Sequence, residues 1–240
     1  MKRALWVLLA TLIGVVVTAR LGIWQLQRAA QKEALQHAFD ERAGLPELPL
    51  AALEADADEV DALHYRRARL TGRWVSRFTI FLDNRQMNGR PGFFVVTPLQ
   101  LADSRVAVLV QRGWVPRDAA DRTRLPMLAT PSGEVSVVGH IAPPPARLYE
   151  FSAAASGPIR QNLDLAAYSR ETGLRLAPLS LVQDDAGAGA NDGLARQWSP
   201  PAVDVQKHYG YAFQWFALCA LMTGLYVWFQ LVGPWLKRRA

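Results

Sequence analysis

The sequence has little cysteine, little histidine and no familiar catalytic motif. Its 240 residues include one cysteine, Cys219. A single cysteine excludes an intrachain disulfide, a CxxC redox pair and a cysteine zinc cluster, and leaves no thiol pair for handling copper. The four histidines, at 37, 64, 140 and 208, are scattered, and no two share a helical turn. G-x-S-x-G, H-E-x-x-H, a phosphate loop and a dinucleotide fingerprint are all missing. Asp83 and Asp103 have no histidine at a local catalytic spacing. These absences argue against an enzyme. The ends of the chain also lack acids: all 21 Asp and Glu lie between Glu33 and Asp204. Lys2, Arg3, Arg20, Lys237, Arg238 and Arg239 are six of the 27 basic residues, and the remaining 21 match the acids. The net charge of +6 therefore belongs to the two ends. That is the pattern of membrane flanks, whereas a nucleic-acid stripe needs its excess in the body. Nucleic acid is not an expected partner.

What is present in quantity is apolar sequence at both termini. Ala4 to Ala19 carries no charge over 16 residues, and the run resumes after Arg20 as far as Trp24. With Arg20 snorkelling and Trp24 at the interface, this approaches the roughly 20 residues a span needs. A signal peptide cleaved after Val17-Thr18-Ala19 is the alternative. Tyr209 to Val232 is uncharged over 24 residues, about 36 Å as a helix. It closes with Pro234, Trp235 and Lys237-Arg238-Arg239, and reads as a second span. Both basic clusters sit outside the apolar runs, so both termini are expected in the cytoplasm and the middle outside. The lack of a long Arg/Ser-rich leader favours a bacterial inner membrane over a mitochondrial import product.

Arg20 to about Arg42 reads as a helix continuing from the first span, stopped by Gly44 and Pro46. Glu54 to Asp61 reads as a solvated loop or short helix. From His64 the texture becomes that of strands. Tyr65–Gly72 leading into Trp74, Phe78–Leu82, Gly92–Leu99, Val106–Trp114, Glu134–Ile141 and Ala177–Val182 are β-branched and aromatic runs between Gly and Pro. Leu163 to Thr172 reads as a short helix, with Asp164 near its start. The Gly/Ala/Asp tract 184–193 reads as a flexible hairpin tip. The expected fold is a membrane-anchored α+β protein. Two transmembrane helices flank a periplasmic, mainly antiparallel β domain, a barrel or sandwich, with a few short helices. The expected division is 4–26 for the first transmembrane helix, 27–207 for the periplasmic domain, 208–233 for the second transmembrane helix and 234–240 for a basic cytoplasmic tail.

His208, Tyr211, Trp215, Cys219, Met222 and Tyr226 recur at helical spacing along the second span. An ionisable residue at the lip of a membrane helix with aromatics below it suggests function. Neutral imidazole is a good axial ligand for haem iron, and the rings of Tyr211 and Trp215 suit a macrocycle. From spacing alone the favoured reading is simple packing against the first span, where Gly14, Thr18 and Gly22, with Ala220 and Gly224 on the second, allow close approach.

Five runs occur in order between the two spans: LGIWQLQRAAQK (Leu21 to Lys32), LDNRQMNGRPGFFVVTPL (Leu82 to Leu99), VLVQRGWVPRD (Val108 to Asp118), RQNLD (Arg160 to Asp164) and HYGYAFQWFAL (His208 to Leu218). With these, the chain resembles a bacterial member of the Surfeit locus protein one family, the cytochrome c oxidase assembly factors, nearly end to end. The resemblance implies that the first span is retained as an anchor. It implies a role in maturing subunit I of haem-copper oxidases, with haem a synthase and other oxidase assembly factors as further partners beside the lipid bilayer. Some bacterial members bind haem a through the histidine opening the second span, and His208 stands in that place. Two departures are Gln111, where many members have asparagine, and Tyr209, where leucine is common.

The motif residues carried over are Gly22, Trp24, Gln25, Asn84, Arg85, Gly92, Arg112, Gly113, Trp114, Tyr211 and Trp215. Arg28 is a candidate for a haem propionate or a lipid phosphate. Asn84-Arg85 followed by Gly89, Pro91 and Gly92 reads as a loop, with Arg85 pairing an acid such as Asp83 or Asp118. Trp114 reads as core, and Gln197-Trp198 as an interfacial brace for the second span. Three functions stay open: a haem a-binding assembly factor, a haem-independent scaffold for oxidase intermediates, and a membrane-anchored periplasmic enzyme.

Overall fold

The structure is a computed structural model and describes residues 2–49, 60–121, 123–149, 157–185, 192–199 and 204–239. The chain forms two compact units, Ala38–Trp198 and a second made of Met1–His37 with Ser199–Ala240.

The first unit is built on seven strands: β1 (Arg67–Trp74), β2 (Ile80–Met87), β3 (Arg90–Leu101), β4 (Val106–Pro116), β5 (Glu134–Ala142), β6 (Ile159–Arg160) and β7 (Arg175–Gln183). Their order is β1-β5-β7-β4-β3-β2-β6, and β1 pairs again with β3, through Gly72–Leu101, Arg73–Gln100 and Trp74–Leu99. That second pairing closes five strands into a barrel. The long β3 makes it possible: its first part pairs with β2 and its end with β1. Side chains alternate along a strand, so every second residue faces inward. Ala68 and Leu70, Leu99 and Leu101, Val106, Val108 and Val110, Val135 and Val137, and Ala177, Leu179 and Leu181 fill one cluster. A fully buried leucine or valine contributes about 1.5–3 kcal/mol. This cluster is the main source of the barrel's stability.

A helix α3 (Leu165–Thr172) lies against the outside with Tyr168 buried. Asp164 caps its start, accepting from the Ala167 amide at 2.8 Å, and Gly173 ends it in the left-handed conformation. The capping aspartate stands where the sequence places it. A one-turn helix α2 (Val60–Leu63) precedes β1.

The sheet is mainly antiparallel, as expected, with two parallel pairings, β4–β7 and β2–β6: β7 enters after α3 and slots between β5 and β4. Three details differ from expectation. Asn84 and Arg85 lie in strand β2, not in a loop, and Pro91 and Gly92 lie in β3. Asn88 and Gly89 both take positive φ, which makes a two-residue hairpin turn and lets the strands run up to it. Tyr65, at φ 70°, precedes β1 and is not part of it. Finally, Trp198 is a residue of the barrel unit: its Nε1 donates to Gln183 O at 2.8 Å and its ring meets Phe94 edge-on. Glu54–Glu59, residues 186–191 of the Gly/Ala/Asp tract, and Pro200-Pro201 lie outside the described residues.

The second unit holds most of α1 (Lys2–Ala43), then α4 (Val205–Tyr226), a π-helical turn (Val227–Val232) and α5 (Gly233–Lys237). Ala4–Ala43 and Val205–Lys237 are long and apolar enough to cross a membrane, and almost none of either apolar stretch is buried. A core helix of a soluble domain would be buried on at least one face. Each helix has one narrow covered stripe. On α1 it is Thr11, Val15, Thr18, Gly22, Gln25, Ala29 and Lys32; on α4 it is Val205, His208, Ala212, Trp215, Cys219, Met222 and Tyr226. Alternating steps of three and four residues are the seam of a helix pair. The contacts run antiparallel: Met222 reaches Gly14, Phe216 reaches Gly22, and His208 reaches Gln25.

Candidate functional site

His208 sits in the first turn of α4, half-buried on the covered stripe. Its Nδ1 lies 2.7 Å from Gln25 Oε1, across the hairpin. With that oxygen as acceptor, the proton resides on Nδ1 and the lone pair on Nε2. An imidazole held this way by an oxygen at one nitrogen is in the tautomer that a metal ligand needs. Nearby, Tyr209 donates to Glu33 at 2.9 Å, a second polar tie between the same two helices. No group of three or more His, Cys, Asp or Glu that could share one metal ion exists among the described residues. His208 offers one imidazole nitrogen, Nε2, to a ligand.

The other expected site residues divide. Trp215 is half-buried on the same stripe as His208, two turns below it. Tyr211 is off the stripe and half exposed; Ala212 takes its place. The reason is geometric. A seam repeats at three and four residues in alternation, and two successive steps of three drift off the face. Arg28 is exposed, donates to Gln31 at 3.2 Å and lies over the Trp24 ring at 5.8 Å. The structure thus brings His208 together with Gln25, and places Arg28 with Trp24 and Gln31. Gly22 is a packing residue: a Cβ there would lie 2.8 Å from the Phe216 ring. A Cβ on Gly224 would meet nothing within 4 Å and Ala220 is exposed, so neither helps the helices approach.

The remaining motif residues meet in the barrel. Trp114 is buried at the end of β4, and its Nε1 donates to Arg85 O at 3.0 Å. A Cβ on Gly92 would lie 2.5 Å from the Trp114 ring and 2.2 Å from Val115 O, so only glycine leaves room for the indole. Trp114 and Ala195 exchange both backbone hydrogen bonds, at 2.7 and 2.9 Å. Gly113 admits the same segment, with Leu194 Cβ 2.6 Å from where its own Cβ would be. Arg112 is 1% exposed. It donates to Thr130 Oγ1 at 2.8 Å, Ala129 O at 3.0 Å and Asp192 Oδ2 at 3.3 Å, and lies over the Trp74 ring. Burial pulls its pKa below the ordinary range, and Asp192 partly restores it.

Arg85 pairs with neither of the expected acids. Its Nη2 donates to Ala146 O at 2.7 Å and Gln161 O at 3.1 Å. Asp83 is taken by Arg117 at 3.5 Å and Asp118 by Arg124 at 3.4 Å. Arg85 points away from Asp83 because β2 carries a bulge between Leu82 and Arg85, with Asn84 at positive φ. Sequence reasoning missed Asp192, Arg196 and Glu171. Asp192 binds both Arg112 and Arg196, and Arg160 forks onto Glu171 at 2.8 and 2.5 Å. The signal available was the surplus of arginine over lysine in a neutral body, since guanidinium is the cation best suited to buried pairs.

Fold and site together define a class: a five-strand barrel flanked in sequence by two helices apolar enough to cross a membrane. One set of motif residues locks the barrel and the other pairs the helices. The family model described as SURF1 family matches residues 12–220, and the chain belongs to that family. It is 26% identical to a SURF1-like protein of Rickettsia bellii, over 91% of this chain and 88% of that one. It is 27% identical to Surfeit locus protein 1 of Xenopus tropicalis, over 89% of this chain and 71% of that one. It is 30% identical to the cytochrome oxidase assembly protein SHY1 of Saccharomyces cerevisiae, over 55% of this chain and 34% of that one.

Proposed function

We propose that this protein is a non-catalytic assembly factor for cytochrome oxidase, and that it holds haem a at His208 for insertion into subunit I. Membership of the SURF1 family and the likeness to an oxidase assembly protein support the assembly role. The Gln25–His208 pair is the observation that carries the haem reading. The antiparallel hairpin brings Lys2 and Lys237–Arg239 to the same end of the helical unit. In a bacterial inner membrane, that end faces the cytoplasm and the barrel the periplasm. His208 then lies at the periplasmic lip, with subunit I and haem a synthase as natural partners in the same bilayer.

Haem a, when bound, would supply an iron that takes a neutral imidazole as ligand. His208 would offer Nε2 and Gln25 would keep the proton on Nδ1, with the Trp215 ring on the same covered stripe two turns below. A haem-independent scaffold is the second reading, favoured by Tyr211 and Arg28 lying off the His208 face. The test is a pyridine haemochrome spectrum of full-length protein purified in detergent from cells making haem a, beside His208→Ala. An a-type band lost in the variant is expected. Its absence from both proteins, with subunit I still co-purifying, would move the function to the scaffold.

A further inference from the structure

At the end of the hairpin opposite His208, the helix seam stops. The covered stripe of α4 runs unbroken from Val205 to Tyr226, and Val227–Val232 then form a π-helical turn. Such a turn inserts one extra residue and rotates the downstream residues off the stripe. Phe229 and Gln230, next in the repeat, are exposed. A cavity of about 430 Å³ opens there, lined by Val7, Ala10 and Thr11 of α1 and Tyr226, Phe229 and Gln230 opposite. This is in the size range of small-ligand sites, which are apolar with a few polar groups.

The same end gathers uncompensated positive charge. Lys2, Lys237, Arg238 and Arg239 stand there, and the nearest acids in sequence are Glu33 and Asp204. The Arg239 guanidinium lies 3.8 Å from the Trp235 ring centroid, a pair suited to the headgroup level. Lys237 is seven residues beyond Gln230, so the charges begin about 10 Å along the axis from the cavity. A second helix, about 10 Å across, does not enter a pit of this size; a single alkyl chain does.

We propose that this end of the hairpin binds an anionic phospholipid. One acyl chain lies between α1 and the π-helical turn, and the phosphate meets Lys2 and Lys237–Arg239. The proposal rests on the reading that both helices cross a bilayer, and it is independent of haem. The test is native mass spectrometry of the full-length protein in detergent, titrated with phosphatidylglycerol and phosphatidylcholine of matched chains. Retention of phosphatidylglycerol about tenfold over phosphatidylcholine is expected. The triple variant Lys237→Gln, Arg238→Gln, Arg239→Gln leaves the apolar walls intact and is expected to lose affinity for phosphatidylglycerol about fivefold per charge removed. Ala10→Phe fills the pit and is expected to abolish the adduct. Equal retention of the two lipids, or an Ala10→Phe variant that binds like the parent, overturns the proposal. Carbonate extraction of membranes keeps the two readings apart. A chain that resists extraction yet shows no lipid preference sinks the lipid site alone; a chain released by carbonate sinks the membrane reading beneath it.

Discussion

A guanidinium taken out of water needs acceptors for its donors, and Arg112 finds them on two different segments, Ala129-Thr130 and Asp192. Asp192 in turn holds Arg196, so one carboxylate serves two buried cations. Removing it strips both of the buried carboxylate they share. Asp192→Ala is expected to cost about 3–5 kcal/mol, read as a lowered thermal midpoint in detergent. Gly92→Ala is expected to cost about 1–3 kcal/mol by forcing the Trp114 ring aside, checked the same way and by loss of near-ultraviolet dichroism from the indole. His64 supplies a pH effect. Burial lowers its pKa from the ordinary 6.5, against the opposing pull of Asp61 and with help from Arg42. The unfolded chain therefore takes up the proton first as pH falls. Stability is complete above about 6.5 and declines below it. Thermal midpoints at pH 7.5 and 5.5 are expected to differ more in the parent than in His64→Gln; equal differences would remove His64 as the cause.

Among the elements, α3 and the two apolar helices are legible in the sequence because their signals are local: a capping aspartate, a run without breakers, a run without charge. The inward faces of β1, β4 and β7 are legible for the same reason. The β2–β3 hairpin is not, because Gly89, Pro91 and Gly92 look like breakers. Only the Asn88-Gly89 pair is the turn; Gly92 is in β3 to admit an indole. The parallel insertion of β7 and the acceptors of Arg85, 61 and 76 residues away, leave no local mark. A backbone carbonyl has no sequence signature. The helix pair is half legible, since the repeat is visible but its phase turns on Ala212 in place of Tyr211. Gly22→Leu tests that phase. It is expected to push Phe216 off α1 and break the Gln25–His208 contact, seen as a change in the ¹⁵N shifts of the His208 imidazole. Leu substituted at Gly224, which faces open space, is expected to leave those shifts unchanged.

For the whole molecule, the division into two units carries its own expectation. The barrel closes on itself through β1–β3 and takes its core from residues between Leu48 and Leu181. A fragment covering 38–198 is expected to melt cooperatively, and to carry no haem when expressed where the full chain does. A non-cooperative melt would show that the barrel depends on the helices.

The Gln25–His208 contact joins residues 183 apart in sequence. At roughly 5–20 residues per second, the ribosome needs on the order of 10–40 s to make the second after the first. During that interval α1 has left the exit tunnel with Gln25 and Glu33 lacking their α4 partners. Whatever cradles a lone polar-seamed helix must hold it that long, and any premature stop before codon 208 leaves it waiting indefinitely.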